Sequence, residues 1–426
     1  MQIYNTMSGA LEPFSRTGAH VSLYMCGITP YDTTHLGHAF TYTVADVLVR
    51  HLESQGHAVR YVQNVTDIDD DILRKAREVG EDWRALGNRW TAHFIQDMKS
   101  LNIRPPDHYP RATDVIPDIV TAVAALIERG LAYASGGSVY YSVDRWPAFG
   151  RLSHLPRSAM LAVANERGNR PDDPRKRDPL DFVLWQAQAP GEPAWESPWG
   201  PGRPGWHIEC SVMSTRFLGA TLDVHGGGGD LVFPHHECEI AQVEPITEHA
   251  PFARVWLHPA MVEHEGEKMS KSLGNLVMVR DLLKDWSADA VRLYLAGHHY
   301  RRAWAHDTDE LARAEVLADN LRAAVKASGG RGAPLREDGA LADFTAAMND
   351  DLATPVALAR LGRLASEVVA GAAAGRDVAS AQTLVRRLAR VFGLRLDAAD
   401  PEPRVLEGWD THLTRFDQRG GQAAPA

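Results

Sequence analysis

The apolar and polar positions of the first hundred residues alternate between strand and helix patterns. Apolar residues run from Val21 to Cys26 and end at Gly27, and apolar positions spaced by three and four residues follow from Thr33. A second apolar run, Val59 to Val65, precedes three successive aspartates at 69–71, which are typical of a helix N-terminus. Strands that alternate with helices predict an α/β fold built on a doubly wound parallel sheet.

The pattern changes twice farther along the chain. Between about 104 and 204 prolines cluster, and Val139 to Val143 is typical of a hairpin strand, which predicts an insertion. Strand-like runs resume at 221–225 and 254–257, and alanine-rich helical stripes follow after about Trp304. We therefore expect two halves of one α/β domain at 1–104 and 205–303, an insertion at 105–204, a helical bundle at 304–395 with helices Glu310 to Ala327, Ala340 to Asn349 and Ala379 to Phe392, and a short tail at 396–426.

Composition and charge narrow the class of protein. The 426 residues are 44% hydrophobic and 23% charged, which is typical of a globular protein and excludes a disordered, collagenous or coiled-coil chain. No apolar run reaches the roughly 18 residues of a membrane span, and the start lacks a secretory signal pattern, so we expect a cytoplasmic protein without a membrane partner. The net charge of −10 argues against general attraction to nucleic acid and leaves a local basic patch open.

Two short motifs carry candidate chemistry, and the first is His35-Leu36-Gly37-His38 at a strand-to-helix junction. Imidazoles beside a helix N-terminus can donate hydrogen bonds to phosphate oxygens, and a glycine between them lets a flat base approach the backbone. These features suit a nucleoside triphosphate. Two surface histidines at an ordinary helix start are the alternative.

The second motif is a lysine pair in a loop bracketed by glycines. The chain has only seven lysines against 38 arginines, yet Lys268 and Lys271 lie three residues apart between Gly266 and Gly274. Flexible ammonium groups can follow the charge that develops on a departing pyrophosphate, and they accelerate the reaction if they bind the transition state more tightly than the ground state. A solvated basic loop is the alternative.

Longer sequence motifs accompany the first two, and together they resemble those of a known family. The longer motifs are Val62-Gln63-Asn64-Val65-Thr66-Asp67-Ile68-Asp69-Asp70, Gly205-Trp206-His207-Ile208-Glu209-Cys210 and Phe233-Pro234-His235-His236-Glu237. With them, residues 1 to about 395 resemble a class I aminoacyl-tRNA synthetase of the cysteinyl type. The related cysteine ligase of the mycothiol pathway, which joins cysteine to a glucosaminyl-inositol amine, shares nearly all of these motifs.

The resemblance implies a fold and a reaction. The fold is a Rossmann-like parallel sheet that binds nucleotide, with an inserted connective domain and a C-terminal helical bundle. The reaction is the activation of L-cysteine by ATP, accompanied by Mg²⁺, to cysteinyl-adenylate, followed by transfer of cysteine to an acceptor. The resemblance assigns catalytic roles to His35, His38, Lys268 and Lys271.

The resemblance also implies a zinc site. Its ligands would be Cys26, Cys210, His235 and Glu239, with the substrate thiol as a further ligand, so that Cys26 also borders the substrate. On spacing alone, isolated cysteines are more commonly small core residues. Zinc binds thiolate far better than a hydroxyl, which would separate cysteine from serine. Cys238 stands where the synthetase usually has asparagine, and it is either a competing ligand or a bystander thiol.

The remaining site residues follow from the resemblance alone. Trp206 is expected near the bound cysteine, although a core position is equally open to it. The glycine run at 226–229, with Gly228, is expected to let adenosine approach, and Asp230 to accept a hydrogen bond from a ribose hydroxyl or from the substrate ammonium. His258 is expected near the adenine.

The acceptor stays open between cysteine tRNA and a glucosaminyl-inositol amine. The zinc ligands with Glu239 and the lysine loop favour tRNA, which we place first. Ile28-Thr29-Pro30, Phe40 and the stretch from Glu166 to Pro174 favour the small amine, as does the absence of a basic tail, because the chain from Arg301 onward has 17 Arg and Lys against 18 Asp and Glu. A non-catalytic cysteine-binding paralogue is a third hypothesis, against which the intact histidine and lysine motifs argue. We expect a monomer.

Overall fold

The computed structural model describes residues 1–16, 18–31, 34–264, 266–269, 274–337, 339–398 and 400–420, with side chains left undescribed at 267–268 and 417–420. The helices are α1 (Leu36–Ser54), α2 (Asp70–Val79), α3 (Trp83–Ser100), α4 (Ile116–Glu128), α5 (Arg157–Glu166), α6 (Trp206–Leu218), α7 (Glu237–Thr247), α8 (Val279–Asp285), α9 (Ala288–Ala296), α10 (Thr308–Lys326), α11 (Ala340–Asn349), α12 (Thr354–Ala373), α13 (Ala379–Val391) and α14 (Pro403–Gly420). The strands are β1 (Gln2–Asn5), β2 (Ala10–Pro13), β3 (Val21–Ile28), β4 (Val59–Val65), β5 (Ala132–Ser135), β6 (Ser138–Tyr141), β7 (Phe182–Ala187), β8 (Gly202–Pro204), β9 (Leu222–Gly226), β10 (Ala253–Leu257), β11 (Val262–His264), β12 (Glu267–Lys268), β13 (Trp304–Ala305), β14 (Gly332–Pro334) and β15 (Arg376–Asp377).

A four-stranded parallel sheet in the order β10-β9-β3-β4 forms the centre of the α/β part. This confirms the predicted fold class, since α1 connects β3 to β4 and the strands run without antiparallel partners in this sheet. Parallel sheets are covered on both faces, and the predominantly apolar sequences of β3 and β4 agree with that burial.

Successive residues of β3 face two different cores. Leu23 and Met25 pack in the cluster that includes α1 and the C-terminal helices, whereas Tyr24 and Cys26 pack in the cluster that includes Ile208 of α6. Because side chains alternate between the two faces of a strand, Cys26 lies on the same face as Tyr24, and its thiol points toward α6 and α7.

An antiparallel sheet in the order β5-β6-β7-β8 lies inside the segment that the sequence predicted as an insertion. Successive strands of this sheet pair in antiparallel orientation; Ala132 of β5, for example, pairs with Tyr141 of β6. The predicted strand from Val139 to Val143 is correct in position but shorter, because the chain turns into a short helical segment at Val143.

Four helices, α10 to α13, form the C-terminal bundle, and three of them match the predicted ranges within two residues. The segment expected to be a short tail contains α14, which packs against α3. The Trp409 indole donates to the carbonyl oxygen of Ile103 at 2.9 Å, and His412 Nε2 lies 2.8 Å from the carbonyl oxygen of Pro106. None of the helices in the described ranges has the length and hydropathy of a membrane span.

Candidate active site

Four side chains from three distant segments converge at the C-terminal end of β3. Cys26 belongs to β3, Cys210 to the middle of α6, and His235 and Glu239 to the start of α7 and the helical turn before it. One potential ligand atom of each lies within 4.8 Å of those of the other three, and all four residues are buried. His235 Nε2 and Glu239 Oε1 are 3.1 Å apart, as the spacing of four residues on a helix requires.

A second group overlaps the first one. Cys26, His225, His236 and Glu239 also offer ligand atoms within 4.8 Å of one another. His236 Nε2 lies 3.2 Å from Cys26 Sγ, and His225 Nε2 lies 2.9 Å from Glu239 Oε2. Sequence reasoning did not single out His225 or His236, although the pair His235-His236 and the end of β9 were visible signals.

Burial sets the protonation of this cluster. It raises the pKa of the Cys26 thiol and of the Glu239 carboxyl well above their ordinary values, and it lowers the pKa of His235 and His236 well below theirs. The Cys26 thiol, the His235 imidazole and the Glu239 carboxyl are therefore shifted toward their neutral forms, and the Cys210 sulfur lies close to them. A divalent cation would supply the positive charge that their ionised forms need, so the donor set fits a metal ion.

Aromatic and imidazole rings orient the His235 side chain. The Trp206 ring stacks on the His235 ring with centroids 4.3 Å apart, and His207 Nδ1 lies 2.9 Å from His235 Nδ1. Burial lowers the pKa of His207 to about 3, so it stays neutral. The structure therefore places Trp206 directly beside one of the four converging side chains.

Cys238 is buried in the same region but lies outside both groups of potential ligands among the described residues. Its side chain packs in the apolar core that contains Ile240 and Tyr141. On α7 it follows His235 by three residues and precedes Glu239 by one, which turns its sulfur to another face of the helix. The geometry thus favours a bystander thiol over a competing ligand.

His35 and His38 meet at the start of α1. The two rings stack with centroids 3.8 Å apart, and the His35 side chain caps the helix by accepting a hydrogen bond from Gly37 N at 3.1 Å. A Cβ on Gly37 would lie 3.0 Å from the His35 ring. Farther along α1, Tyr42 donates to the carbonyl oxygen of Cys26 at 3.2 Å, which links this helix to the strand that carries Cys26.

The glycine run and His258 lie at the ends of neighbouring strands. His258 Nε2 is 2.7 Å from His236 Nδ1, and His258 Nδ1 is 2.7 Å from Thr6 Oγ1, so His258 borders the second metal-ligand group. Gly228 directly precedes the short helical turn of Asp230. Asp230 forms an ion pair with Arg167 of the insertion at 3.1 Å.

One glycine shows how closely the strands approach at this point. A Cβ on Gly27 would lie 1.6 Å from the carbonyl oxygen of Asn64, which rules out any other residue in this conformation. The Gly27 amide donates to Asn64 Oδ1 at 2.8 Å, and the β3–β4 register shifts between Met25 and Ile28. This irregularity ends the regular ladder next to Cys26.

The lysine loop is only partly described. Strand β12 contains Lys268 and pairs antiparallel with β11, but the Lys268 side chain and all of Lys271 lie outside the described residues. Their predicted roles stay predictions.

Two known protein families match this chain. Residues 14–316 match the family described as the tRNA synthetases class I (C) catalytic domain, and residues 343–397 match the DALR domain. A cysteine–tRNA ligase from Dehalococcoides mccartyi is 45% identical over 94% of this chain and 88% of its own length. An L-cysteine:1D-myo-inositol 2-amino-2-deoxy-alpha-D-glucopyranoside ligase from Thermomonospora curvata is 46% identical over 90% of this chain and 91% of its own.

Solved structures share the fold. Methionyl-tRNA synthetase of Mycobacterium tuberculosis, in complex with methionyl-adenylate, superposes with a TM-score of 0.62 over 95% of this chain and 94% of its own. At 15% identity this likeness concerns the fold alone.

Proposed function

Because the chain belongs to the family of class I tRNA synthetases with the cysteine-type catalytic domain, we propose that it activates L-cysteine with ATP and transfers the cysteinyl group to tRNA. The observation that carries this proposal is the buried convergence of Cys26, Cys210, His235 and Glu239 at the C-terminal edge of the parallel sheet. Ligands of open α/β sheets bind at that edge. A sulfur-rich metal site there suits a substrate with a thiol.

We assign Zn²⁺ to the four residues Cys26, Cys210, His235 and Glu239. Zinc prefers thiolate and imidazole ligands, and it would supply a soft acceptor for the substrate sulfur. The alternative set has only one sulfur, since it contains Cys26 but not Cys210, and zinc favours the set with two thiolates. His225 lies next to Glu239 and His236 next to Cys26. Those two histidines then act as outer partners that orient the ligands.

The choice of cysteine over serine follows from the donor set. An apolar pocket gains only about 1–3 kcal/mol from one small group, which is too little to reject a near-isostere. A hydroxyl is a much poorer zinc ligand than a thiolate, so selection by sulfur needs no separate editing site. Trp206, packed on His235, is proposed to close the cysteine pocket on one side.

In the proposed reaction the cysteine carboxylate attacks the α-phosphorus of ATP, and pyrophosphate leaves. The reaction needs no enzyme nucleophile, so positioning and charge stabilisation supply most of the rate. We place His35 and His38 at the phosphates, because their stacked rings lie at the N-terminus of α1. Lys268 and Lys271 are proposed to bind the departing pyrophosphate.

The nucleoside end of ATP is assigned to the neighbouring strand ends. We place the adenosine along the glycine run with Gly228, with Asp230 near a ribose hydroxyl or the substrate ammonium and His258 near the adenine. The ion pair between Asp230 and Arg167 would have to open for Asp230 to take this role.

A glucosaminyl-inositol amine is the second candidate acceptor. It is favoured by the relative named as an L-cysteine:glucosaminyl-inositol ligase, which matches over 91% of its own length. The relative named as a cysteine–tRNA ligase, which matches over 94% of this chain, supports tRNA as the first candidate. Both acceptors would attack the same cysteinyl-adenylate.

A charging assay tests the function and the acceptor together. With radiolabelled cysteine and ATP, we expect cysteine-dependent exchange of pyrophosphate into ATP and the accumulation of acid-precipitable cysteinyl-tRNA. If pyrophosphate exchange occurs but cysteine is transferred to glucosaminyl-inositol and not to tRNA, the acceptor is the small amine. Absence of any cysteine-dependent exchange would overturn the activation reaction and leave a binding protein.

Metal uptake should be accompanied by proton release. Burial raises the pKa of the Cys26 thiol above its ordinary value, so this thiol is protonated at pH 7 without a metal and must ionise to bind it. Adding Zn²⁺ to metal-free protein in weakly buffered solution should therefore release about one proton or more per ion, measured with a pH indicator. The Cys238→Ala variant should release the same number, and release of fewer than one proton would contradict the assigned ligands.

A further inference from the structure

A cavity lies at the β4 edge of the parallel sheet, and none of the four converging side chains of the candidate metal site lines it. Its volume is about 570 Å³, which is within the roughly 300–1,000 Å³ of small-ligand pockets. The segment from His108 to Arg111 runs beside β4, with bridges from Val62 to His108 and from Val65 to Arg111, and forms one wall. We call this space the edge pocket, and it is bounded by α3, the 108–115 segment, the end of α6, Trp195 and α14.

Aromatic rings form much of the lining of the edge pocket. The Trp83 and Trp195 rings stand edge to face with centroids 6.4 Å apart and planes at 78°. On the opposite side the His108 ring stacks on Phe217 at 4.8 Å. Trp83, Trp195 and Phe217 are only partly buried. The guanidiniums of Arg84 and Arg216 lie 5.0 Å and 6.0 Å from the centroids of the Trp83 and Phe217 rings and each cover one face of the ring.

Four guanidinium groups line the same cavity, those of Arg84, Arg111, Arg216 and Arg415. Arg111 is 93% buried, since only 7% of it is exposed, and its guanidinium lies 4.0 Å from the centroid of the Phe416 ring. Arg216 forms an ion pair with Asp118. Within the described part of the chain, Arg84 and Arg415 form no ion pair with a carboxylate.

Two carboxylates also line the edge pocket, and both are hydrogen-bonded within the protein. Asp67 accepts hydrogen bonds from the Thr113 amide at 3.0 Å and from the Thr113 hydroxyl at 2.6 Å. Asp114 accepts from the Arg111 amide at 3.2 Å. Because Asp118 pairs with Arg216 from outside the lining, three guanidiniums remain against two carboxylates, and the lining carries a small surplus of positive charge.

We propose that the edge pocket binds a nucleoside phosphate. A flat base would stack on the face of one of the two tryptophan rings, whose planes are 78° apart, and its phosphate would meet the guanidiniums of Arg84 and Arg415. A simple anion would not use the aromatic walls, and an uncharged aromatic ligand would leave the arginines unused. Free mononucleotides and an unpaired nucleotide of an RNA strand share this chemistry.

The pocket depends on a helix outside both matched family regions. Family matches cover 14–316 and 343–397, whereas Arg415 and Phe416 belong to α14. Helix α14 is fixed there by the Trp409 and His412 contacts described above and by the ion pair between Lys99 and Asp410. Among the residues whose side chains the structure describes, none of those proposed to bind cysteine, zinc or phosphate lines the cavity, so the two proposals can fail independently.

Binding is tested with the full chain saturated with a non-hydrolysable cysteinyl-adenylate analogue, which keeps the proposed catalytic cleft filled. Titrations by calorimetry would use AMP, CMP, a single-stranded RNA hexamer, adenosine and inorganic phosphate. We expect AMP, CMP or the hexamer to bind at least tenfold more tightly than phosphate or adenosine. Equal affinity for a mononucleotide and the hexamer identifies a free nucleotide as the ligand, and at least tenfold tighter binding of the hexamer identifies an RNA strand.

Variants locate the binding. Arg84→Ala and Arg415→Ala should each weaken nucleotide binding at least tenfold while leaving cysteine-dependent pyrophosphate exchange unchanged. Arg89→Ala is the matched control, because Arg89 lies on the same helix as Arg84, pairs with Glu81 and does not line the cavity. The proposal is overturned if phosphate binds as well as AMP, if no nucleotide binds at millimolar concentration, or if Arg84→Ala behaves like Arg89→Ala.

Discussion

Replacing Cys210 by alanine is expected to remove tight Zn²⁺ binding and most of the cysteine-dependent pyrophosphate exchange. The Cys210 sulfur is one of four ligand atoms within 4.8 Å of one another, and it lies in the buried middle of α6. Loss of an outer partner of a metal site costs about 10- to 100-fold, so loss of a direct thiolate ligand should exceed that range in kcat/KM. Zinc content by mass spectrometry and exchange kinetics would be measured on the same preparations.

The chain supplies its own matched control for this experiment. Cys238 is as buried as Cys210, with each 1% exposed, and also lies on a helix of the same core. Cys238→Ala removes one sulfur and leaves a cavity of the same kind, yet it should retain the metal and the exchange activity. If both variants lose zinc equally, or if Cys210→Ala keeps it, the assigned ligand set is wrong.

The family resemblance predicted the four residues of the candidate metal site, and the geometry of the strand and the helix accounts for part of their convergence. Cys26 ends an apolar strand, and its side chain must face the core opposite to that of Met25. His235 and Glu239 are four residues apart at the start of a helix and therefore project together. What the sequence could not provide was the distance from Cys210 to this pair, because that distance depends on how α6 packs on α7. There the family resemblance supplied the expectation.

The histidines around the cluster were missed for a different reason. Each of the three histidines, His225, His236 and His207, contacts a predicted ligand through a ring nitrogen. The number of residues between a strand and the helix after it does not determine which of their side chains meet, because a loop of irregular shape connects them. Outer partners are chosen by three-dimensional proximity alone. A search for imidazoles next to predicted ligands along the chain would have found His236 and not His225.

Helix α14 was missed although its pattern was present. Val405, Trp409, His412 and Phe416 recur at three- and four-residue spacing and are buried. The small polar residues that follow them led us to expect a short tail. The edge pocket could not be predicted either, because one of its walls is α14 and no helix was expected there.

A buried ion network joins α1 to the helices behind it. Asp46 and Arg50 of α1 pair at 2.9 Å, Arg292 of α9 also contacts Asp46, and Arg50 reaches Glu402 at 2.7 Å. The side chains of Asp46, Arg50 and Arg292 are at most 2% exposed. The network therefore fixes the helix that begins beside His35 against the C-terminal part of the chain.

The pKa of Asp46 reflects these contacts. Burial alone would raise it, but the guanidiniums of Arg50 and Arg292 hold the pKa below its ordinary value. A carboxyl with a lowered pKa stabilises the fold at pH values above its unfolded pKa of about 4, and this contribution is lost as the pH falls through the folded value. At neutral pH the whole contribution is present.

Replacing Asp46 by alanine should therefore lower the free energy of unfolding by about 3–5 kcal/mol at pH 7, because two guanidiniums would stay buried without their shared carboxylate. Urea unfolding followed by circular dichroism measures this, and Asp46→Asn, which keeps an acceptor but no charge, should fall between wild type and Asp46→Ala. Asp410→Ala is the control: its ion pair with Lys99 has an aspartate 57% exposed, so its loss should cost at most about 1 kcal/mol. Equal destabilisation by the two alanine variants would mean that burial adds nothing to the Asp46 contacts.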